Sequence, residues 1–158
     1  MRVGCGYDSH RLVPGRPLVL GGVSIPFERG LDGWSDADAA VHAIIDALCG
    51  AGGLGDIGTQ FPPGDERFHG ASSLVLLEQV RTLLEARGLK VVNVDVTIVA
   101  EEPRLSPYVG EMRRCLATAM DLAVDCIAVK AKTNEHMGFI GRGEGMAAFA
   151  VALLSHVG

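Results

Sequence analysis

The chain has few aromatic side chains, only 5% of its 158 residues, and a single tryptophan. Its cysteines, Cys5, Cys49, Cys115 and Cys126, are widely separated and lack C-x-x-C spacing. Sulfur-based metal binding is therefore not indicated, and free thiols are favoured over disulfides. Runs of about 18 apolar residues are missing, as is an apolar segment behind the first residues, so we expect neither a membrane span nor a signal peptide. These absences favour a cytoplasmic protein.

Positive charge is also scarce, because 14 Lys and Arg residues face 19 Asp and Glu residues for a net charge of −5. Without a basic block, nucleic acid is not an expected partner, although a small anionic ligand remains possible. Glycine is abundant instead, at 21 residues, and hydrophobic residues make up 48% of the chain. We therefore expect a core of small aliphatic side chains and many tight turns or close backbone approaches.

Hydrophobic periodicity predicts one α/β (α+β) domain over residues 1–158. Strands are predicted over 2–8, 17–26, 90–100, 126–132 and 146–154, the last of which could equally be helical. Helices are predicted over 35–49, 72–86 and 106–120, with Ser35 as the N-cap of the first. The strand–helix–strand order around residues 90–132 indicates a crossover unit. We predict a mixed sheet with helices mainly on one face and an apolar opposite face available for self-association.

The segment GYDSH places Asp8 and His10 two residues apart, and therefore on one face of the first strand. His42 lies on the first helix, between Asp38 and Asp46 at the i−4 and i+4 positions. Asp8, His10 and His42 would form a two-histidine, one-carboxylate metal site with an open fourth position, as in catalytic zinc sites. Asp46 would orient His42 from behind. Alternatively, Asp8 and His10 bond a turn at the strand end, and His42 is a partly buried helix histidine.

Two glycine-rich stretches admit a functional and a structural interpretation. GLGDIG, residues 53–58, follows a helix instead of opening one, so it is not a dinucleotide fingerprint. GRGEG, residues 141–145, is typical of a turn between strands. Near Thr133, Glu135 and Arg142 it could also hold phosphate through backbone amides, a hydroxyl and a guanidinium.

Taken together, the motifs GYDSHRL, LGGVSIP, SDAD, HAIIDAL, GLGDIG, NVDVTI and GFIGRGEG closely resemble those of the 2-C-methyl-D-erythritol 2,4-cyclodiphosphate synthases. That family belongs to the non-mevalonate route of isoprene biosynthesis, and the resemblance runs from residue 2 to about 154. It implies a lyase that closes 4-diphosphocytidyl-2-C-methyl-D-erythritol 2-phosphate into a cyclic diphosphate and releases CMP. It also implies a homotrimer with active sites between subunits.

The resemblance further implies roles for individual residues. Asp8, His10 and His42 would hold Zn²⁺ and touch the substrate, and Glu135 would hold Mg²⁺ or Mn²⁺ at its diphosphate. Trp34 and Thr133 would be catalytic residues that orient phosphates. The other implied substrate contacts are Ser35, Asp56, Ile57, Gly58, Asp65, Ala100, Arg104, Ser106, Ala131, Lys132, Asn134, Phe139 and Arg142. Phe139 and Arg142 would line a central cavity for isoprenoid diphosphates, and Asp38 and Asp46 would lie behind the metal ligands.

The chain departs from the family's usual pattern at four places. Trp34, Pro63, Ile140 and Phe149 stand where histidine, aspartate, threonine and glutamate are common, and the last two alter the implied central cavity. An indole only donates hydrogen bonds. Trp34 would therefore either donate its N–H to a phosphate oxygen or pack over the neighbouring loop. Two rival functions remain open: a zinc phosphohydrolase and a trimeric binding protein for isoprenoid diphosphates.

Overall fold

A five-stranded mixed sheet forms the centre of the structure, a computed structural model that describes residues 1–157. The strands of the chain are β1 (Arg2–Pro14), β2 (Leu18–Leu20), β3 (Val23–Ile25), β4 (Arg29–Leu31), β5 (Leu89–Val99), β6 (Ile127–Lys132) and β7 (Gly145–His156). The sheet order is β4-β1-β7-β5-β6, while β2 and β3 form a separate hairpin. Only β5 and β6 are parallel.

Helices cover one face of this sheet, as predicted. They are α1 (Ala39–Gly52), α2 (Ile57–Gln60), α3 (Ser73–Glu85), α4 (Val109–Met120) and α5 (Gly138–Gly141). The central helix, α1, packs against β1, β7 and β5 and is flanked by α3. Helix α4 lies in the connection between the parallel strands β5 and β6, which confirms the predicted crossover. No helix within residues 1–157 has the length and apolar character needed to cross a membrane.

The contact between β1 and α1 is unusually close because β1 carries glycine where the helix crosses it. A Cβ atom on Gly4 would overlap the carbonyl oxygen of Ala47, and one on Gly6 would overlap that of Ala43. Both alanines are fully buried, so small residues on both sides let the two backbones touch. Alternation along β1 turns Asp8 and His10 to the same face as these glycines, toward the start of α1.

The first strand is longer than predicted. β1 ends at Pro14 and not at residue 8, because Ser9 to Arg11 continue to pair with β7 and Leu12 to Pro14 pair with β4. Asp8 and His10, two of the predicted metal ligands, are therefore inside a strand and not at its end. Residues 146–154, for which strand and helix were equally compatible with the sequence, belong to strand β7. Its Ala148, Ala150 and Ala152 are buried beneath the helices.

The start of α1 also corrects a prediction, because Asp38 caps the helix instead of Ser35. The Asp38 carboxylate accepts hydrogen bonds from the N–H of Val41 at 3.1 Å, of Gly21 at 2.9 Å and of Gly22 at 2.7 Å. A helix cannot begin earlier since Ala37 is in the left-handed region with φ of 56°. Burial raises the pKa of Asp38, and the three N–H groups partly offset that effect. Asp38 thus ties the β2–β3 hairpin to α1.

The face of the sheet opposite the helices is apolar and uncovered. Val3 is 69% exposed, Tyr7 47%, Phe149 50% and Val151 47%. The rings of Tyr7 and Phe149 are in contact, with their centroids 4.8 Å apart. The cysteines are free thiols, as predicted, and Cys5 lies exposed on the same strand as Val3 and Tyr7.

We predict that Gly6→Ala destabilises the protein by about 3 kcal/mol, because the added methyl group must push α1 away from β1. The same substitution at Gly50, an exposed position of α1 with open space around it, is the matched control. Gly50→Ala should be neutral or stabilise the protein by up to ~1 kcal/mol. Chemical denaturation measures both, and equal effects at the two positions would contradict the close contact.

Candidate active site

Three predicted metal ligands, Asp8, His10 and His42, meet between β1 and the first turns of α1. Asp8 Oδ2 lies 2.8 Å from His10 Nε2 and 3.1 Å from His42 Nδ1, and the two nitrogens are 3.2 Å apart. Tetrahedral ligands at about 2.0–2.1 Å from a zinc ion lie roughly 3.3 Å from one another. A small opening of this triangle would therefore accommodate a metal ion.

The other nitrogen of each imidazole makes hydrogen bonds that fix its orientation. His10 Nδ1 donates to the backbone carbonyl of Asp32 at 2.6 Å. His42 Nε2 lies 3.1 Å from the hydroxyl oxygen of Ser35 and 2.9 Å from that of Ser73. The inner nitrogens, His10 Nε2 and His42 Nδ1, both face Asp8 Oδ2. They donate to this oxygen when protonated, and when neutral they would offer lone pairs to a cation bound there. Converging lone pairs beside a carboxylate suit a divalent cation.

Electrostatics within the triangle favour a charged Asp8. Burial alone would raise the pKa of Asp8, but the hydrogen bonds and charges of His10 and His42 outweigh it and lower the pKa to about 2. Burial likewise opposes protonation of His10, yet Asp8 and the Asp32 carbonyl raise its pKa above the usual 6.5. Asp8 and His10 therefore each stabilise the charged form of the other.

The groups behind the ligands differ from those predicted. The Asp38 carboxylate accepts hydrogen bonds from the backbone N–H groups of Gly21 and Gly22. Asp46 accepts one from the N–H of Ile57 at 2.8 Å. The hydroxyls of Ser35 and Ser73 hold His42 instead, because they reach its outer nitrogen and the carboxylates do not. Sequence reasoning missed Ser73, which is fully buried.

Asp36 fixes Ser73 in turn. Its carboxylate accepts the backbone N–H of Ser73 at 2.9 Å and makes a short hydrogen bond with the Ser73 hydroxyl. A chain of contacts therefore runs from Asp36 through Ser73 to His42. A buried serine at the start of a predicted helix is the signal that could have revealed it.

A cavity of about 230 Å³ opens in front of Asp8, His10 and His42. Among the predicted substrate contacts, Trp34, Ser35, Ile57 and Gly58 line it, together with the rings of Phe61 and Phe68. The Asp56 carboxylate is the N-cap of α2 and accepts a hydrogen bond from the backbone N–H of Thr59 at 2.7 Å. The cavity thus combines the predicted metal ligands at one end with an apolar wall.

Trp34 does not offer a free hydrogen-bond donor to this cavity. Its indole Nε1 donates to the backbone carbonyl of Asp65 at 3.0 Å, and its ring meets that of His69 edge-on at 4.8 Å. Its own carbonyl accepts the N–H of Gly70. The Asp65 carboxylate is bound to Arg67 at 2.6 Å. Both residues thus hold the loop of residues 62–70 in place, which agrees with the alternative interpretation of Trp34 as a packing residue.

A second cavity, of about 510 Å³, lies where the parallel strands β5 and β6 end. The carboxyl ends of neighbouring parallel strands meet at one edge of a sheet, where ligands commonly bind. The segments 100–106 and 131–133 line this cavity together. The predicted nucleotide contacts brought together here are Ala100, Arg104, Ser106, Ala131, Lys132 and Thr133. Its volume lies in the range of small-ligand pockets.

Thr133, Asn134 and Glu135 follow directly at the end of β6. The Thr133 hydroxyl lies 3.1 Å from a carboxylate oxygen of Glu135, whose side chain is exposed. The Asn134 side chain is used locally, donating to the carbonyl of Met137 at 2.8 Å. The predicted second cation ligand, Glu135, is thus adjacent to the predicted phosphate-orienting hydroxyl.

The two cavities lie at the same end of the sheet. Ser9 of β1, between Asp8 and His10, lies in the same row as Ala147, Val99 and Lys132. Three strand spacings separate the ends of this row, or about 14 Å. Phe139 and Arg142 line neither cavity: Phe139 is 41% exposed, and Arg142 pairs with Glu144 at 2.7 Å.

Comparison with known proteins shows close relatives over the whole chain. The model of the YgbB family matches residues 1–155. A 2-C-methyl-D-erythritol 2,4-cyclodiphosphate synthase of Dehalococcoides mccartyi is 60% identical over 154 residues, which is 98% of each chain. A solved synthase of the same name, in a CDP-bound form, is 42% identical with a TM-score of 0.89 and covers 98% of this chain and 100% of its own.

The bifunctional IspDF of Campylobacter jejuni is similar over part of its length. It is 39% identical with a TM-score of 0.94, and the match covers 98% of this chain. This chain spans 42% of that longer protein.

We predict that Asp8→Asn weakens zinc binding by about 100-fold or more, since it removes the only charged ligand. Asp32→Asn is the matched control, because it changes an exposed carboxylate and keeps the carbonyl that holds His10. Competition with a chelating dye measures both affinities. In the parent, affinity should fall as pH drops through the raised pKa of His10, because His10 must be neutral to bind. A pH-independent affinity between pH 6 and 8 would contradict this ligand set.

We predict that Trp34→Phe loosens the loop of residues 62–70, because phenylalanine keeps an aromatic ring but loses the bond to Asp65. Losing one hydrogen bond of about 1 kcal/mol should raise amide exchange in the loop roughly fivefold. Hydrogen exchange read by mass spectrometry measures this. Unchanged exchange would mean that the indole N–H is not needed by the loop and is free to contact a ligand.

Proposed function

The chain belongs to the YgbB family, and we propose that it is a cyclodiphosphate synthase that converts 4-diphosphocytidyl-2-C-methyl-D-erythritol 2-phosphate into 2-C-methyl-D-erythritol 2,4-cyclodiphosphate and CMP. The observation that carries the proposal is the triangle of Asp8, His10 and His42 at the end of an apolar cavity. The separate nucleotide-sized cavity at the same end of the sheet supports it.

The proposed reaction is an internal phosphoryl transfer, which makes the enzyme a phosphorus–oxygen lyase. An oxygen of the 2-phosphate attacks the β-phosphorus, a new P–O bond closes the ring, and the bond to the bridging oxygen breaks. That oxygen leaves with CMP. Such a transfer requires alignment and charge neutralisation more than a protein nucleophile. Because both reacting groups belong to one molecule, a well-aligned fold of the substrate can supply effective molarities of ~10⁵ M or more.

Different parts of the substrate would bind in the two cavities. Zn²⁺ on Asp8, His10 and His42, and Mg²⁺ or Mn²⁺ on Glu135, would supply positive charge to the phosphates. Ile57 and Gly58 would contact the methylerythritol part, consistent with the apolar wall beside them. The cavity formed by residues 100–106 and 131–133 would hold the cytidine, and the Thr133 hydroxyl would orient the diphosphate.

We propose a homotrimer with active sites between subunits. The uncovered apolar face of the sheet, with Val3, Tyr7, Phe149 and Val151 exposed, supports an interface. Burying this face between copies would remove the largest exposed side chains of β1 and β7 from water. Light scattering should then report three times the 16.6 kDa of one chain.

The function is tested by ³¹P NMR of the zinc-loaded protein with the substrate and Mg²⁺. We predict a cyclic diphosphate together with CMP, loss of turnover after zinc removal by a chelator, and its return when zinc is added back. The Asp8→Asn variant should lose at least about 100-fold in kcat. His156→Asn, an exposed histidine near the far end of β7, should match the parent.

Two other results would contradict the proposal. Release of inorganic phosphate without a cyclic product would instead indicate a zinc phosphohydrolase. Binding without turnover, in protein that holds zinc, would indicate a binding protein.

A further inference from the structure

The turn after β6 has an unfavourable backbone conformation. Glu135 and His136 are both in the left-handed region, with φ of 51° and 61°. Side chains other than glycine rarely adopt this conformation, and two such residues in succession require compensating contacts. Since Glu135 is the proposed ligand of the second cation, whatever maintains this turn also sets the direction of that carboxylate.

The carboxylate of Glu101 supplies the compensating contacts. One of its oxygens accepts the backbone N–H of Asn134 at 3.1 Å, and the other accepts the backbone N–H of His136 at 3.2 Å. The second oxygen also lies 3.2 Å from His136 Nδ1. The side chain of Glu101 is only 12% exposed, whereas that of His136 is 86% exposed. The contact with the Asn134 N–H is therefore the more sheltered one, since both contacts with His136 are exposed.

Glu101 also belongs to the opposite wall of the nucleotide-sized cavity. It lies in the segment 100–106, which follows β5, whereas the turn follows β6. The N–H of Ala100 donates to the carbonyl of Lys132 at 2.9 Å, so the two segments are joined just before they diverge. Glu101 makes the next connection, across to the turn.

We propose that Glu101 is a positioning residue that couples nucleotide binding to binding of the second cation. Its carboxylate holds the turn of residues 133–136 against the segment that would contact the nucleotide. Thr133 and Glu135 are thereby directed at the same phosphates before any ligand binds. The identity of the two ligands, CDP and Mg²⁺, rests on the proposed function. The clamp, by which we mean the hydrogen bonds from the N–H groups of Asn134 and His136 to Glu101, rests on the structure alone.

Contacts that do not involve Glu101 also hold the turn of residues 133–136 close to its position. The N–H of Met137 donates to the carbonyl of Asn134 at 2.9 Å, and Gly141 packs directly on the backbone of His136. Loss of the carboxylate should therefore change the direction of Glu135 and leave the protein folded.

The decisive variant is Glu101→Gln, which keeps the size of the side chain. An amide offers one acceptor oxygen, and its NH₂ group would face a backbone N–H, so one of the two backbone bonds is lost. His136→Asn is the matched control. It removes the exposed imidazole, keeps both backbone N–H groups, and introduces a residue that tolerates a left-handed conformation.

Amide exchange of Asn134 and His136, followed by NMR, tests the clamp directly. We expect both amides to be protected in the parent and in His136→Asn, and exchange of at least one to be about tenfold faster in Glu101→Gln. Equal protection in Glu101→Gln and the parent would overturn the proposal.

Calorimetric titration of CDP with and without Mg²⁺ tests the coupling in the zinc-loaded protein. In the parent and in His136→Asn, Mg²⁺ should tighten CDP binding, and the Glu101→Gln variant should lose about fivefold or more of that effect. Its affinity for CDP without Mg²⁺ should change little. An undiminished Mg²⁺ effect in Glu101→Gln would refute the coupling. If the parent itself does not bind CDP, the proposed function fails, while the exchange measurement still decides the clamp.

Discussion

Direct contact between the backbones of β1 and α1 is the constraint on which the rest of the site depends. Gly4 and Gly6 leave no room for a side chain between the strand and Ala43 and Ala47 of the helix. A helix that lay further away, as over larger side chains, would carry His42 out of reach of Asp8 and His10. The glycines therefore set the distance, and the alternation of the strand points both ligands at the helix.

Hydrogen bonding then converts proximity into a metal-binding geometry. One nitrogen of each imidazole is hydrogen-bonded outside the triangle, to the backbone carbonyl of Asp32 for His10 and to serine hydroxyls for His42. The remaining nitrogens face Asp8, and its pKa is lowered to about 2 because hydrogen bonds and charges from the two histidines outweigh the effect of burial. The same logic recurs at Glu101, where a carboxylate fixes a strained turn by accepting backbone N–H groups.

The sequence predicted that Asp8, His10 and His42 come together, because their signal is local: D-x-H on one strand and a histidine in an apolar helix. It also predicted the parallel crossover that brings residues 100–106 and 131–133 together. It could not predict the hydrogen bonds that support the site, because these join residues far apart in the sequence. Several side chains could also accept from the same N–H groups. Asp38 took the cap position from Ser35 because the N–H groups of the β2–β3 hairpin also reach its carboxylate. Likewise, Trp34 donates its single N–H to the backbone carbonyl of Asp65 in the loop.

X-ray absorption at the zinc edge of the loaded protein tests the central claim most directly. The account predicts one zinc per chain with nitrogen and oxygen neighbours at about 2.0–2.1 Å, two of them imidazoles, and no sulfur in the coordination shell. A shell containing sulfur at about 2.3 Å, or only one imidazole, would contradict it. Either result would mean that the contact between β1 and α1 does not build the site described.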